Sequence, residues 1–218
     1  MSDFRFPSRV QKLRERLAKD ELDAILVSNG ENRRYISGFV SSAGYLLVTQ
    51  NDAVICTDFR YTEQATQQAP GWRVDRIAGK SDWLANLVME FEIKTLGFEA
   101  DDMTVGTLER FKKVLAENDS SSELKPTSGI GVDLRAYKDA GELELLQRAI
   151  DIGDQAFEDT ASQLEVGMTE KETAWIFEKA VRERGAESIS FETIVAIGPN
   201  AARPHHATSD SKLVEGQT

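Results

Sequence analysis

From Phe6 to Leu115 the apolar residues alternate between two spacings, and that alternation leaves few architectures open. Phe6, Val10, Leu13 and Leu17 recur at helical intervals, and Asp23-Ala24-Ile25-Leu26-Val27-Ser28 follows as a short apolar strand closed by Asn29-Gly30 turn chemistry. Tyr45 to Thr49 and Ala53 to Thr57 are rich in β-formers and are joined through Gln50-Asn51-Asp52, which predicts an antiparallel hairpin with both strands buried. A short helix near Tyr61 to Gln68, a strand from Trp72 to Ile77, and a helix carrying Leu84, Leu87, Val88 and Phe91 come next. Thr95 to Phe98 reads as another strand, and Val105, Leu108, Phe111 and Leu115 line one face of a further helix. Helices alternating with strands that include a hairpin predict a mixed-sheet α/β (α+β) layer fold.

The pattern changes after a polar loop at Asn118 to Glu123. Beyond Leu134 a long charged helix carries Leu143, Leu146, Ile150 and Phe157, so the expected domains are residues 1–134 and 135–218. A second helix starts at Thr169, whose hydroxyl pairs with Glu172 in a capping box; it buries Ala174, Phe177 and Val181 and stops at Gly185. Both helices lead to an expected strand from Phe191 to Ile197. The apolar faces at Leu143, Leu146, Phe177 and Val195 have few partners, so the second domain is expected to be incomplete.

Charge narrows the function. A net charge of -11 with no concentrated basic patch excludes nucleic acid and anionic membrane as expected partners. No apolar run reaches the roughly 18 residues of a membrane span, and Met1 to Arg5 carry no signal-peptide core, so the cytoplasm is the expected compartment. The lone Cys56 lies inside a Val-Ile-Cys strand and reads as a small buried hydrophobe. There is no glycine-rich phosphate loop, no Gly-x-Ser-x-Gly elbow and no Cys-x-x-Cys. Asp101-Asp102, Asp151 with Asp154, and Glu158-Asp159 read as caps or solvated faces.

His205 and His206, the two histidines of the chain, follow a Gly198-Pro199-Asn200 turn at the end of the apolar segment. Neighbours in extended backbone face opposite ways, so at most one imidazole would face a site.

The run Ser190 to His206 resembles the start of the catalytic domain of the pita-bread metallopeptidases, in the branch of Xaa-Pro aminopeptidases and prolidases. Asn32-Arg33-Arg34-Tyr35-Ile36-Ser37-Gly38-Phe39 is similar to the Asn-x-x-Tyr-Leu-x-Gly-Phe pattern of their N-terminal domain, and Thr57 to Ala65 to the strand-to-helix turn of bacterial members. Leu134 to Leu143 corresponds to the segment that enters the catalytic domain, departing from it at Tyr137 and Ala140-Gly141.

The resemblance implies a creatinase/prolidase-like N-terminal domain followed by part of a pita-bread domain. It implies a peptidase that acts on proline-containing peptides or dipeptides, forms a homodimer, and uses two divalent ions, manganese or cobalt, with zinc as a further choice. The ligands of those ions are expected beyond Thr218, so none is assigned in this chain, which by itself is expected to be inactive. By position His205 becomes the residue that hydrogen-bonds substrate and tetrahedral intermediate, while His206 is expected to have no role. Arg60 and Tyr61 become candidates for shaping a partner subunit's pocket, against a structural reading in which Asp58 and Arg60 form a turn-stabilising pair and Tyr35 and Phe39 are core aromatics. A metal-free creatinase-like hydrolase and a non-catalytic binding protein of the same fold are the alternatives.

Overall fold

A computed structural model describes residues 6–79 and 81–217; Met1 to Arg5, where the absence of a signal core was noted, lie outside the described residues. The chain divides into two compact units, Met1–Tyr137 and Lys138–Thr218.

The first unit is a six-stranded sheet in the order β4-β3-β2-β1-β5-β6. Its strands are β1 (Ala24–Val27), β2 (Tyr45–Thr49), β3 (Ala53–Thr57), β4 (Arg73–Arg76), β5 (Thr95–Glu99) and β6 (Glu123–Thr127). β2 pairs antiparallel with β1 and with β3, whereas β1 with β5, β5 with β6, and β3 with β4 run parallel. The sheet is therefore mixed and contains the expected hairpin, whose loop is tied by Thr49 Oγ1 accepting from the Asn51 and Asp52 amides at 3.2 and 2.8 Å.

Alternation along β1 explains why it reads as continuously apolar. Ile25 and Val27 face a core with Val10, Leu13 and Leu17 of α1 (Pro7–Lys19) and Ile36 of α2 (Gly30–Ser37). Ala24 and Leu26 face the opposite core with Leu84, Leu87 and Val88 of α4 (Asp82–Glu90) and Phe111, Val114 and Leu115 of α5 (Val105–Glu117). A strand covered on both faces has no polar side to show. Phe39 and Phe111 are almost fully buried, each contributing about 1.5–3 kcal/mol of transfer free energy. Tyr35 is buried too, and its hydroxyl donates to the Leu134 carbonyl at 2.9 Å. Cys56 is buried as expected, and burial pushes its thiol far up, so it is not a nucleophile.

Three elements differ from the sequence reading. Asn29-Gly30 opens α2 rather than a turn, because Asn29 Oδ1 caps the Asn32 amide at 3.0 Å. The polar stretch ending at Glu123 runs into β6, an edge strand whose Pro126 is tolerated because only β5 pairs with it. A short helix, α6 (Ile130–Ala136), follows it, with α3 (Thr62–Gln68) completing the set in this unit.

The parallel strands β1 and β5 meet where the chain reverses its order across the sheet, the usual docking point for an anionic ligand in α/β folds. Here the protein's own Glu99 takes up the nearby amide donors. Its Oε2 accepts from the Ser28 and Asn29 amides, both at 2.7 Å, and its Oε1 from Asn32 Nδ2 at 2.5 Å. Gly131 of α6 lies against that asparagine: a Cβ there would come within 2.1 Å of the Asn32 amide.

The second unit contains α7 (Ala140–Ala161) and α8 (Glu170–Glu183), packed through Ala156, Ala180 and Val181. Leu143, Leu146, Ile150 and Phe157 of α7 are exposed. Asp139 and Glu142 form a capping box at the start of α7, next to the departures at Tyr137 and Ala140-Gly141. Phe191 to Ile197 is not a strand. Among the described residues no strand pairs with it, and its Val195 and Ile197 amides donate to side chains instead. No helix among the described residues is long and apolar enough to cross a membrane.

Two outcomes are expected from this architecture. Residues 1–137, holding both cores, will resist limited proteolysis, and the first cuts detected by mass spectrometry will fall beyond Tyr137; equal protection of both units would contradict this. Gly131→Ala will destabilise the first unit by about 1–3 kcal/mol in urea unfolding, because the added methyl has no space beside the buried Asn32.

Candidate functional site

α8 begins with two acidic residues in its first turn, and they have different tasks. Glu172 takes the capping-box role anticipated from sequence, its carboxylate accepting from the Thr169 amide at 2.8 Å while Thr169 Oγ1 accepts from the Glu172 amide at 3.1 Å. Glu170, freed from capping, points inward and is fully buried.

The loop after α8 closes on that carboxylate. Oε1 accepts from the Ile197 amide at 2.9 Å and from Asn200 Nδ2 at 2.8 Å. Oε2 accepts from the Ser209 amide, Ser209 Oγ and His206 Nε2, each at 2.7 Å. The carboxylate offers only lone pairs, so Nε2 of His206 carries the proton in this contact. Burial alone would push the Glu170 carboxyl upward, but hydrogen bonds from Ser209, Asn200 and His206 outweigh it and hold the group well below the usual carboxylate range. The strand-like segment 209–213 runs back beside the helix start, with Glu170 N donating to the Ser211 carbonyl at 3.0 Å and Leu213 N to the Met168 carbonyl at 2.7 Å.

Between these anchors the chain makes a short 3-10 turn, Gly198–Ala202, and then a β-turn over Arg203-Pro204-His205-His206, in which His206 N donates to the Arg203 carbonyl at 3.2 Å. Proline sits at the second position of the turn, where its fixed φ is favoured, and His205 at the third. The backbone here is a turn and not the extended run assumed from sequence. The two imidazoles still part company, for a different reason: His206 is drawn inward to Glu170, whereas His205 is exposed at the tip. His206 is therefore a buried structural partner and not an idle loop residue.

Arg60 and Tyr61 belong to the first unit, in the turn between β3 and α3. Asp58 grips Arg60 with both oxygens, Oδ1 to Nε at 3.0 Å and Oδ2 to NH2 at 2.7 Å, and Oδ1 also accepts from the Arg60 amide at 3.0 Å. The Arg60 bonds hold the Asp58 carboxyl below its ordinary value. The Tyr61 hydroxyl bonds Ser42 Oγ at 2.7 Å, and the Arg60 guanidinium lies 5.2 Å from the Tyr61 ring centroid. The turn-stabilising pair anticipated from sequence is present, and the Arg60 side chain it holds is half-exposed.

Among the described residues no group of three or more His, Cys, Asp or Glu side chains is arranged to hold a metal ion. What the second unit builds is an exposed imidazole on a braced turn.

Comparison with known proteins places these features. Residues 9–137 match the creatinase/prolidase N-terminal domain and residues 144–218 the metallopeptidase family M24. The structure of an Xaa-Pro dipeptidase from Bacillus anthracis superposes with a TM-score of 0.89 at 36% identity, over 96% of this chain and 58% of that one. An X-Pro aminopeptidase from Thermotoga maritima gives 0.83 at 32% identity, over 93% and 58%. An uncharacterized peptidase, YqhT, of Bacillus subtilis is 36% identical over 208 residues, 95% of this chain and 58% of the relative. The chain thus spans less than two thirds of the length of the relatives it matches.

The depressed Glu170 carboxyl carries a pH signature. Its stabilisation is fully present above the unfolded carboxylate value of about 4.3 and is lost as pH falls through the lower folded value. Unfolding free energy from urea melts will therefore fall as pH is lowered from about 5, and Glu170→Gln will flatten that decline. An unchanged slope in the variant would contradict the assignment.

Proposed function

Because the chain belongs to the creatinase/prolidase N-terminal domain and M24 metallopeptidase family, we propose that the whole protein is a cytoplasmic, homodimeric Xaa-Pro peptidase. In this reading residues 1–134 form the N-terminal domain and residues 135–218 begin the catalytic domain. Its substrates are peptides or dipeptides with proline after the first residue. A bond to proline is a tertiary amide with no N–H, so a site for it has only the carbonyl oxygen and the ring shape to recognise. An imidazole donor aimed at that oxygen suits the task, since the bond strengthens as the oxygen gains negative charge in the tetrahedral intermediate. His205 takes this part. The supporting observation is its exposed ring at the tip of the Arg203 to His206 turn, one residue from the proline that sets the turn.

The manganese, cobalt or zinc pair expected of such an enzyme has no ligand set among the described residues. The chemistry proposed for this chain's residues is substrate positioning and hydrogen bonding. Arg60 and Tyr61 serve, in this reading, at the pocket of a partner subunit, where the clamped Arg60 guanidinium would meet the substrate at little entropic cost.

The decisive measurement is the steady-state kinetics of the whole protein on Xaa-Pro substrates. His205→Ala will lower kcat by about a hundredfold or more with bound metal nearly unchanged, the scale for loss of one oxyanion donor. Full activity in that variant would overturn the role, and loss of metal with activity would make His205 a ligand instead.

A further inference from the structure

The family reading gives His205 a task but does not explain why an exposed imidazole on a loop stays in place. A donor that must meet a developing oxyanion loses much of its effect when displaced by about 1 Å. The turn that carries His205 has no sheet partner among the described residues. It does have Glu170.

We propose that Glu170 is the positioning residue of the site: its single buried carboxylate fixes both ends of the turn and thereby sets where the His205 imidazole projects. The inference rests on the reading of His205 given above.

The geometry is specific. Upstream of the turn, Oε1 holds Ile197 N and Asn200 Nδ2; downstream, Oε2 holds His206 Nε2 and both the amide and hydroxyl of Ser209. Asn200 extends the brace, because its Oδ1 accepts from the Arg203 guanidinium and its amide also reaches Ser211 Oγ at 3.1 Å. The turn is thus tethered at Asn200, at Arg203 through Asn200, and at His206, leaving Pro204 and His205 as the residues at its tip. Proline adds its own rigidity. Glu170 itself is held at the first turn of α8, whose start is fixed by the Thr169 and Glu172 capping box and whose partial positive charge favours a carboxylate. The helix therefore transmits a fixed position to a segment whose own structure is a short 3-10 turn and a β-turn. Glu170 does not reach the substrate in this scheme and acts through His206, Asn200 and Ser209.

The test uses Glu170→Gln, which keeps the shape but presents an NH2 donor to a set of donors. In the 218-residue chain, heteronuclear NOE measurements will show added motion at residues 203–209 while the amides of Ala156, Ala180 and Val181 stay as ordered as in the wild type. In the whole protein, kcat on Xaa-Pro substrates will fall by about ten- to a hundredfold with KM and metal content changed far less, a split that loss of general stability would not produce. Should Glu170→Gln fail to fold, Ser209→Ala removes one of the five donors and will give the same pattern at smaller amplitude. An ordered turn in the variant, or a kcat within twofold of wild type while His205→Ala is crippled, would overturn the proposal. If instead His205→Ala is fully active, the reading of His205 fails, and the NOE measurement still decides whether Glu170 holds the turn.

Discussion

A carboxylate removed from water must find donors for its lone pairs within the protein, and in this chain that requirement does much of the folding of the loops. Glu99 gathers the Ser28 and Asn29 amides and the Asn32 side chain, joining β1, β5 and the start of α2. Glu170 gathers Ile197, Asn200, His206 and Ser209 around the start of α8. In each case one side chain ties together segments that lie far apart along the chain. Losing one partner of such a cluster leaves the others buried and unpaired, which costs more than the bond itself was worth.

The two units share the device but use it for different ends. In the first, Glu99 ties the end of β5 to the end of β1 and the start of α2, within a well-packed support. In the second, the carboxylate lies beneath a turn and leaves the residue above it exposed. Pro204 and His205 are the residues at the tip of that turn.

The legible parts of the fold were those in which burial wrote a period into the sequence. β1, β2, β3, β5, α4 and α5 all carry it, because each packs into one or both cores. β6 and α6 escaped notice because an edge strand with Leu124 as its main apolar residue, and a two-turn helix held by Ile130 and Leu134, have too little buried surface to leave a pattern. Asn29-Gly30 was misread for a more instructive reason: an asparagine oxygen accepting a nearby amide serves turns and helix starts alike. Phe191 to Ile197 has the composition of a strand, but a ladder needs a neighbour and composition does not supply one. The Thr169 and Glu172 box was readable because it is local, whereas Glu170 was hidden among thirty-seven acidic residues by partners that lie far along the chain. Pro204 and His205 were singled out from sequence as a loop; the buried carboxylate beneath that loop was not.

The rims of the sheet have a consequence for the life of the molecule in a crowded solution. One outer strand, β4, alternates charge along its short length, with Arg73 bound to Asp75 and Glu90. The other, β6, carries Lys125 and Pro126. A proline lacks the donor that an incoming strand would need, and clustered charge resists being stripped of water. Both borders therefore resist serving as a template on which a second copy could continue the sheet, which guards against the open-ended β-stacking that ends in aggregates.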